Sequence, residues 1–340
     1  MTAPRGHEAV RQRTVVSGGV RLAVYEQGDP ARPTVLLVHG YPDTHHVWDD
    51  VAADLAADHH VVRYDVRGAG ASGAPKALAA YRLPRLADDL FAVAEAVSPD
   101  RPVHVGAHDW GSIQAWEAVT DPRAAARIAS YTTMSGPCLD HIGHWARRRL
   151  ARPTPRNVLA LLRQTARSWY IGAFHTPLLA PLTWRLVIAP RWGRVLQTVE
   201  RVTPRPGHPG PTLAADAVHG IRLYRANMLP RLLSPRERPT DVPVQLVTLA
   251  HDNYVSPALN DDLERWAPHL WRRTLRAGHW SALLEKGATV AALIREFTEH
   301  LDGAPGAPAA PALARAARRD PEPGAPFAGR LAVVTGAGSG

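Results

Sequence analysis

At 340 residues, with 45% hydrophobic and 21% charged side chains, the chain is globular in composition and large enough for one big domain or two ordinary ones. A single cysteine, Cys138, excludes an internal disulfide framework and fits core filler in a reducing, cytoplasmic setting; residues 1–13 lack the apolar core of a signal peptide, and no run of about 18 apolar residues suggests a membrane span. The net charge of +9 is uneven: residues 141–238 hold 17 Arg, no Lys and three acids, Glu200, Asp216 and Glu237. Only Lys76 and Lys286 are lysines, so Arg fills nearly every basic position, and no aromatic–basic interleaving supports nucleic acid. An anionic-lipid contact at a membrane surface is the partner that the surplus allows.

Val10–Val16 and Val20–Gln27, split by Ser17-Gly18-Gly19, alternate apolar and polar residues as a hairpin does. Pro33–Val38 is a short run suited to a central parallel strand, and it leads into the loop His39-Gly40-Tyr41-Pro42. There Gly40 lets the chain turn, Pro42 stiffens it, and His39 is expected to bond the loop. Val47–Ala57 reads as an amphipathic helix and His60–Asp65 as the next strand. The glycines of Asp65-Val66-Arg67-Gly68-Ala69-Gly70-Ala71-Ser72 lack a following Lys-Ser/Thr, so this is a structural loop and not a phosphate loop. Leu83–Ala96 is helical.

Val103–Ser112, VHVGAHDWGS, then runs from a buried strand through a tight turn into a helix. Small residues at Ala107 and Gly111 allow the two backbones to approach, which is the setting of a nucleophile elbow. The residue at the nucleophile position is Asp109. A carboxylate is already ionised near neutral pH and suits displacement at an sp³ carbon, leaving an alkyl ester. Ile128–Met134 is another strand. From Pro137 to Pro239 the strand–helix alternation gives way to helical segments broken by prolines and rich in Trp and Arg. Alternation resumes at Val242–Leu249 and Leu270–Leu275, and a helix over Ala288–Leu301 closes the unit. Ester hydrolysis needs a base and an orienting acid. The resemblance of this strand order to the α/β-hydrolase superfamily, which carries its histidine after the last strand, implies His279, in Arg276-Ala-Gly-His-Trp-Ser281, as the base. It implies Asp252, after the strand before that one, as the acid, with Asp140, where some relatives place the acid, as the rival. His141 and His144 have a metal-like spacing without a third ligand, so no metal is expected.

HDWG around Asp109, the HGxP-type loop at His39–Pro42 and the D-x-R-G-x-G-x-S stretch resemble the α/β-hydrolase superfamily, and within it the epoxide hydrolase branch, over residues 10–302. The resemblance implies an α/β fold with a mostly parallel central sheet between helices. The core would span 1–136 and 239–302, interrupted by a helical cap at 137–238. It assigns the backbone N–H groups of Tyr41 and Trp110 to an oxyanion hole. Trp169-Tyr170-Ile-Gly-Ala-Phe174 and Leu223-Tyr224-Arg225-Ala226-Asn227 are similar to the two cap motifs whose tyrosines, here Tyr170 and Tyr224, hold the epoxide oxygen. Ser112 departs from the usual Gly or Ala, and His251 stands where a glycine-rich turn normally precedes the acid.

The implied reaction converts a lipophilic epoxide and water into a vicinal diol, with no metal or organic cofactor. Haloalkane dehalogenation is the alternative enzyme reading, although that family typically has Asn at the position of Tyr41. A non-catalytic lid or docking module is the alternative from another class. Residues 303–326 read as an Ala/Pro-rich linker. Residues 327–340 end in Thr335-Gly-Ala-Gly-Ser-Gly340 and resemble the truncated start of a short-chain dehydrogenase, in which Gly336 and Gly340 belong to an NAD(P) loop. NAD(P) is implied only if a full dehydrogenase domain follows.

Overall fold

The computed structural model describes residues 10–303 and Leu313. The linker expected over 303–326 and the dinucleotide loop expected over 327–340 lie outside the described residues, Gly303 and Leu313 apart. Among the described residues, eight strands form one sheet in the order β1-β2-β4-β3-β5-β6-β7-β8. They are β1 (Arg11–Ser17), β2 (Val20–Gln27), β3 (Thr34–Val38), β4 (His60–Tyr64), β5 (Val103–His108), β6 (Ile128–Met134), β7 (Val244–Leu249) and β8 (Leu270–Leu275). β1 and β2 pair antiparallel through a two-residue turn at Gly18 and Gly19, whose φ values of 53° and 79° suit residues without a Cβ. From β4 to β8 every pairing is parallel.

The central strands read as unbroken apolar runs because helices cover both faces of the sheet. All five residues of β3 and all six of β5 are buried. Trp48, Leu36, Leu37 and Leu55 are fully buried, and each such side chain contributes about 1.5–3 kcal/mol by leaving water. One face packs on α1 (Asp49–Leu55), which a tight turn at His45–Trp48 precedes, so the helix expected from Val47 is shorter than its apolar pattern suggested. The other packs on α2 (Leu83–Val97) and α3 (Trp110–Val119). A short α4 (Ala124–Arg127) leads into β6.

From β3 the chain crosses to β4 on one side and later returns to β5 on the other. Loops leaving β3 and β5 therefore diverge at the carboxyl edge of the sheet, which is where open α/β sheets place ligands. Asp65 and Arg67 brace this edge. The Asp65 carboxylate accepts from the backbone N–H groups of His45 and Ala71, both at 2.9 Å, and Arg67 forms a buried ion pair with Asp89. The glycine-rich stretch is thus a structural loop.

Between β6 and β7 the chain runs through α5 (Leu139–Ala151), α6 (Pro155–Arg167), α7 (Trp169–Phe174), α8 (Leu179–Thr183), α9 (Trp192–Val195) and α10 (Leu213–Leu233). Wide π-type turns occupy Trp184–Ile188 and Leu196–Glu200. Pro230 does not break α10, which runs on to Leu233. Two polar clusters tie this insertion to the core. The Asn227 amide accepts from Leu83 N–H (2.9 Å) and donates to the Tyr81 carbonyl (2.8 Å). Glu117 of α3 and Asp140 of α5 share Arg236, with Arg231 and Arg238 also on Glu117. After β8 the chain closes through α11 (Ser281–Leu284) and α12 (Gly287–Asp302).

Candidate active site

Asp109 stands between β5 and α3 with φ 52° and ψ −126°, a backbone geometry that L-residues rarely adopt and that costs of order 1–3 kcal/mol. Three glycines make the close approach feasible. A Cβ on Gly111 would lie 2.1 Å from the Val38 carbonyl oxygen, one on Gly136 would lie 2.1 Å from the Asp109 carbonyl oxygen, and one on Gly40 would meet the Asp109 side chain. Ser112, the departure from the usual small residue, sews the elbow to β6: its hydroxyl donates to the Ala107 carbonyl (2.6 Å) and accepts from Met134 N–H (3.2 Å).

The two carboxylate oxygens of Asp109 face different partners. Oδ1 accepts from Tyr41 N–H at 2.8 Å, and the Trp110 N–H also hydrogen-bonds the carboxylate. Oδ2 lies 3.6 Å from His279 Nε2. On the far side of the ring, His279 Nδ1 is 3.3 Å from Asp252 Oδ2. Asp252 is saturated, accepting from Ser135 Oγ (2.6 Å) and from the N–H groups of Tyr254 (2.7 Å) and Val255 (3.0 Å).

Charge follows from these contacts. Burial pushes Asp109 up to about 6, against the opposing pull of His279 and the two N–H donors. Burial would also raise Asp252, but His279, Ser135 and the Tyr254 N–H outweigh it and hold the carboxyl down at about 2. His279 is buried, which disfavours its charge; Asp252, Asp109 and Glu200 more than offset this and lift it to about 9. Near neutral pH the resting site is a carboxylate facing an imidazolium, itself backed by a second carboxylate.

Above Asp109 lies an aromatic layer from the insertion. Tyr224 of α10 packs edge-on against Trp110 (ring centres 4.7 Å apart), Tyr41 (5.4 Å) and Phe174 (4.8 Å). The ring of Tyr170, on α7, is centred 6.0 Å from that of Tyr224. Burial, with the Asp109 charge adding to it, keeps both phenols far above their ordinary range, so they are neutral hydrogen-bond donors. Asp109, Asp252, His279, Tyr170, Tyr224 and the N–H groups of Tyr41 and Trp110 thus meet in one place. Asp140 does not join them: it is engaged by Arg236, through the backbone N–H (2.9 Å) and the guanidinium (3.2 Å). His39 bonds the loop, with Nε2 accepting from Val66 N–H (3.0 Å) and Nδ1 against the Gly40 carbonyl (2.9 Å). His141 and His144 each reach a backbone carbonyl, of Arg238 and Arg236. Cys138 is buried, which pushes its thiol up to about 12.

Sequence reasoning missed Tyr254 and Glu200. The Tyr254 ring is centred 4.9 Å from that of His279 and 5.9 Å from that of Tyr170, closing the side of the site. Its place two residues after Asp252 was an available signal. Glu200 is buried beside this group, accepts from Asn253 Nδ2 (3.3 Å), and leaves Oε2 3.1 Å from where a Cβ on Gly278 would stand. It is the sole acid between Asp140 and Asp216, and its isolation in an arginine-rich stretch was the clue.

Residues 33–286 match the alpha/beta hydrolase fold family, and the chain belongs to it. Among curated proteins it is 41% identical over 327 residues to the probable oxidoreductase EphD of Mycobacterium tuberculosis, covering 95% of this chain and 54% of that protein; the chain thus spans about half the length of that relative. It is 40% identical over 132 residues to epoxide hydrolase A of the same organism, 38% of this chain and 40% of the relative. Among solved structures, epoxide hydrolase VrEH1 of Vigna radiata superposes with a TM-score of 0.65 at 23% identity, over 86% of this chain and 98% of that one. The Bacillus megaterium epoxide hydrolase superposes at 0.64 and 21% identity, over 84% and 100%. These likenesses establish the fold.

Proposed function

We propose that the chain is an epoxide hydrolase that works through a covalent ester on Asp109, and that the insertion is the cap that shapes its substrate. The observation carrying this is the division of labour at Asp109: one carboxylate oxygen held by Tyr41 N–H at 2.8 Å, the other 3.6 Å from His279, under two neutral phenols. The names of the relatives and of the structural neighbours support the same reaction class.

The phenols of Tyr170 and Tyr224 hydrogen-bond the epoxide oxygen. Asp109 Oδ2 attacks a ring carbon from the opposite side; the C–O ring bond breaks, and the alkoxide takes a proton from a tyrosine. Esterification removes the Asp109 charge that helped hold His279 protonated, so the imidazole gives up its proton, which restores the tyrosine, and becomes a base. Still oriented by Asp252, it deprotonates a water that attacks the Asp109 carboxyl carbon. The developing oxyanion is Oδ1, already seated on the N–H of Tyr41, with the Trp110 N–H beside the same carboxyl group. Collapse releases a vicinal diol, and the proton on His279 re-establishes the resting ion pair. The aromatic lining of Tyr41, Trp110, Phe174, Trp184 and Tyr254 suits a lipophilic epoxide. The sequence Thr335-Gly-Ala-Gly-Ser-Gly340, together with the oxidoreductase name of the half-covered relative, supports the reading that residues 327–340 belong to a dinucleotide-binding domain.

The test is diol formation from a simple aliphatic epoxide by the purified chain and by Asp109→Ala, with halide release from a matched chloroalkane in parallel. Diol formation abolished by the substitution, without halide release, supports the proposal. Halide release supports the dehalogenase. No turnover by folded protein across short and long aliphatic epoxides contradicts the enzyme reading.

A further inference from the structure

The insertion carries an outer surface that the reaction does not use. Between His141 and Val199 there are ten arginines and no acidic residue. Eleven of the sixteen exposed large hydrophobic side chains among the described residues belong to residues 150–199. Leu178 is 85% exposed and Trp169 73%. Single exposed apolar side chains are ordinary, but this concentration in one segment is not.

The exposed residues follow helical spacing. Leu178, Leu182 and Leu186 recur every four residues along one side of α8 and the turn that extends it, while Ala180 and Trp184 are buried on the other side. No residue of α6 is buried; Val158, Leu159 and Leu162 form its exposed apolar stripe, with Arg156, Arg163 and Arg167 flanking it. Arg156 and Arg163 also line a groove of about 250 Å³ with Arg149, Leu159 and Asp261. In α7, Trp169 points outward while its neighbour Tyr170 lies in the aromatic layer over Asp109.

We propose that this leucine- and arginine-rich face of the insertion docks on an anionic lipid surface. Leucine and tryptophan side chains would enter the acyl boundary, and the arginines would meet acidic headgroups. A second copy of the chain is a poor occupant, since it would oppose two arginine-rich faces whose neighbouring carboxylates, Asp261 and Asp262, are already engaged by Arg148 and Arg149. The consequence for substrate delivery, that a lipophilic epoxide reaches the site from the bilayer past α7, rests on the function proposed above; the docking does not.

The experiment is co-sedimentation of the purified 340-residue chain with vesicles of phosphatidylcholine alone, or with about a third phosphatidylglycerol. Binding to the anionic vesicles, falling with salt, is expected. Leu178→Asp with Leu182→Asp, and separately Arg163→Glu with Arg167→Glu, should each weaken it roughly tenfold or more. All are exposed positions outside the site, so melting temperature and turnover of a water-soluble epoxide should stay at the parent level. The proposal is overturned by absence of binding at low salt, by equal binding to neutral vesicles, or by variants that bind like the parent. It is equally overturned if light scattering shows a dimer that Leu178→Asp converts to monomer, which would make the face a protein interface.

Discussion

His279 is the residue on which the two half-reactions part company. In the proposed scheme it is not needed for Asp109 to attack, but it speeds hydrolysis of the ester. His279→Gln is therefore expected to form the ester and hydrolyse it roughly 10²–10⁴-fold more slowly, so that intact mass spectrometry finds the protein one substrate heavier. A folded variant that never gains this mass contradicts the scheme. Glu200 acts on the same imidazole through its charge. Removing a negative charge makes the imidazolium easier to deprotonate, so Glu200→Gln should move the rising limb of ester hydrolysis to lower pH. Stopped-flow profiles showing no displacement would remove Glu200 from the account. Asp109, Asp252 and His279 were legible in the sequence because each sits at a strand end in a local pattern. Glu200 was not, because its neighbours in space, Asn253 and Gly278, are far from it in the chain.

At the scale of elements, the elbow and the insertion obey different rules. The elbow is fixed by backbone contact. Gly111→Ala would put a methyl 2.1 Å from the Val38 carbonyl oxygen, which only a shift of β3 or α3 can relieve, so a loss of more than about 3 kcal/mol is expected in urea unfolding. Gly172, in α7, has nothing within 4 Å of an added Cβ, and Gly172→Ala should be neutral or stabilise by up to about 1 kcal/mol. Equal effects of the two substitutions would contradict this contrast. The same difference governs what could be read beforehand. Strands buried on both faces announce themselves as apolar runs such as Thr34–Val38. The insertion is harder to read. α10 buries one face at three- and four-residue spacing from Leu213 to Met228, but that face includes the polar Asp216 and Asn227 and the helix passes through Pro230. The π-type turns at Trp184–Ile188 and Leu196–Glu200 also shift the side-chain register. Helical character was therefore legible there, and individual boundaries were not.

Across the whole molecule, the buried ion pairs set a pH window for stability. Asp252 and Asp65 are both held at about 2, below their ordinary 3.8, so the stability they contribute is present above pH ~3.8 and lost as pH falls towards 2. His279 is raised from 6.5 to about 9, so its contribution is complete below pH ~6.5 and lost as pH climbs through 9. Asp109, raised to about 6, acts in the opposite sense and reduces stability as pH rises from 3.8 to 6. Burial holds His108 down at about 3 and His141 at about 4, so the stability they contribute is present above pH ~6.5 and lost as pH falls towards those values. A melting temperature highest near pH ~6.5 follows, and calorimetry across pH 2–10 checks it; a maximum below pH ~4 or above pH ~8 would contradict these assignments.

The covalent ester is the centre of the account, and one single-turnover experiment addresses it directly. Excess enzyme is mixed with an epoxide in H₂¹⁸O, and both the diol and the peptide carrying Asp109 are weighed. The ester route takes both diol oxygens from the epoxide and from Asp109 Oδ2, so the first diol should be unlabelled and the Asp109 carboxyl should carry one ¹⁸O. Label in the first diol, with Asp109 unlabelled, would mean that water attacks the epoxide directly and that Asp109 is not the nucleophile.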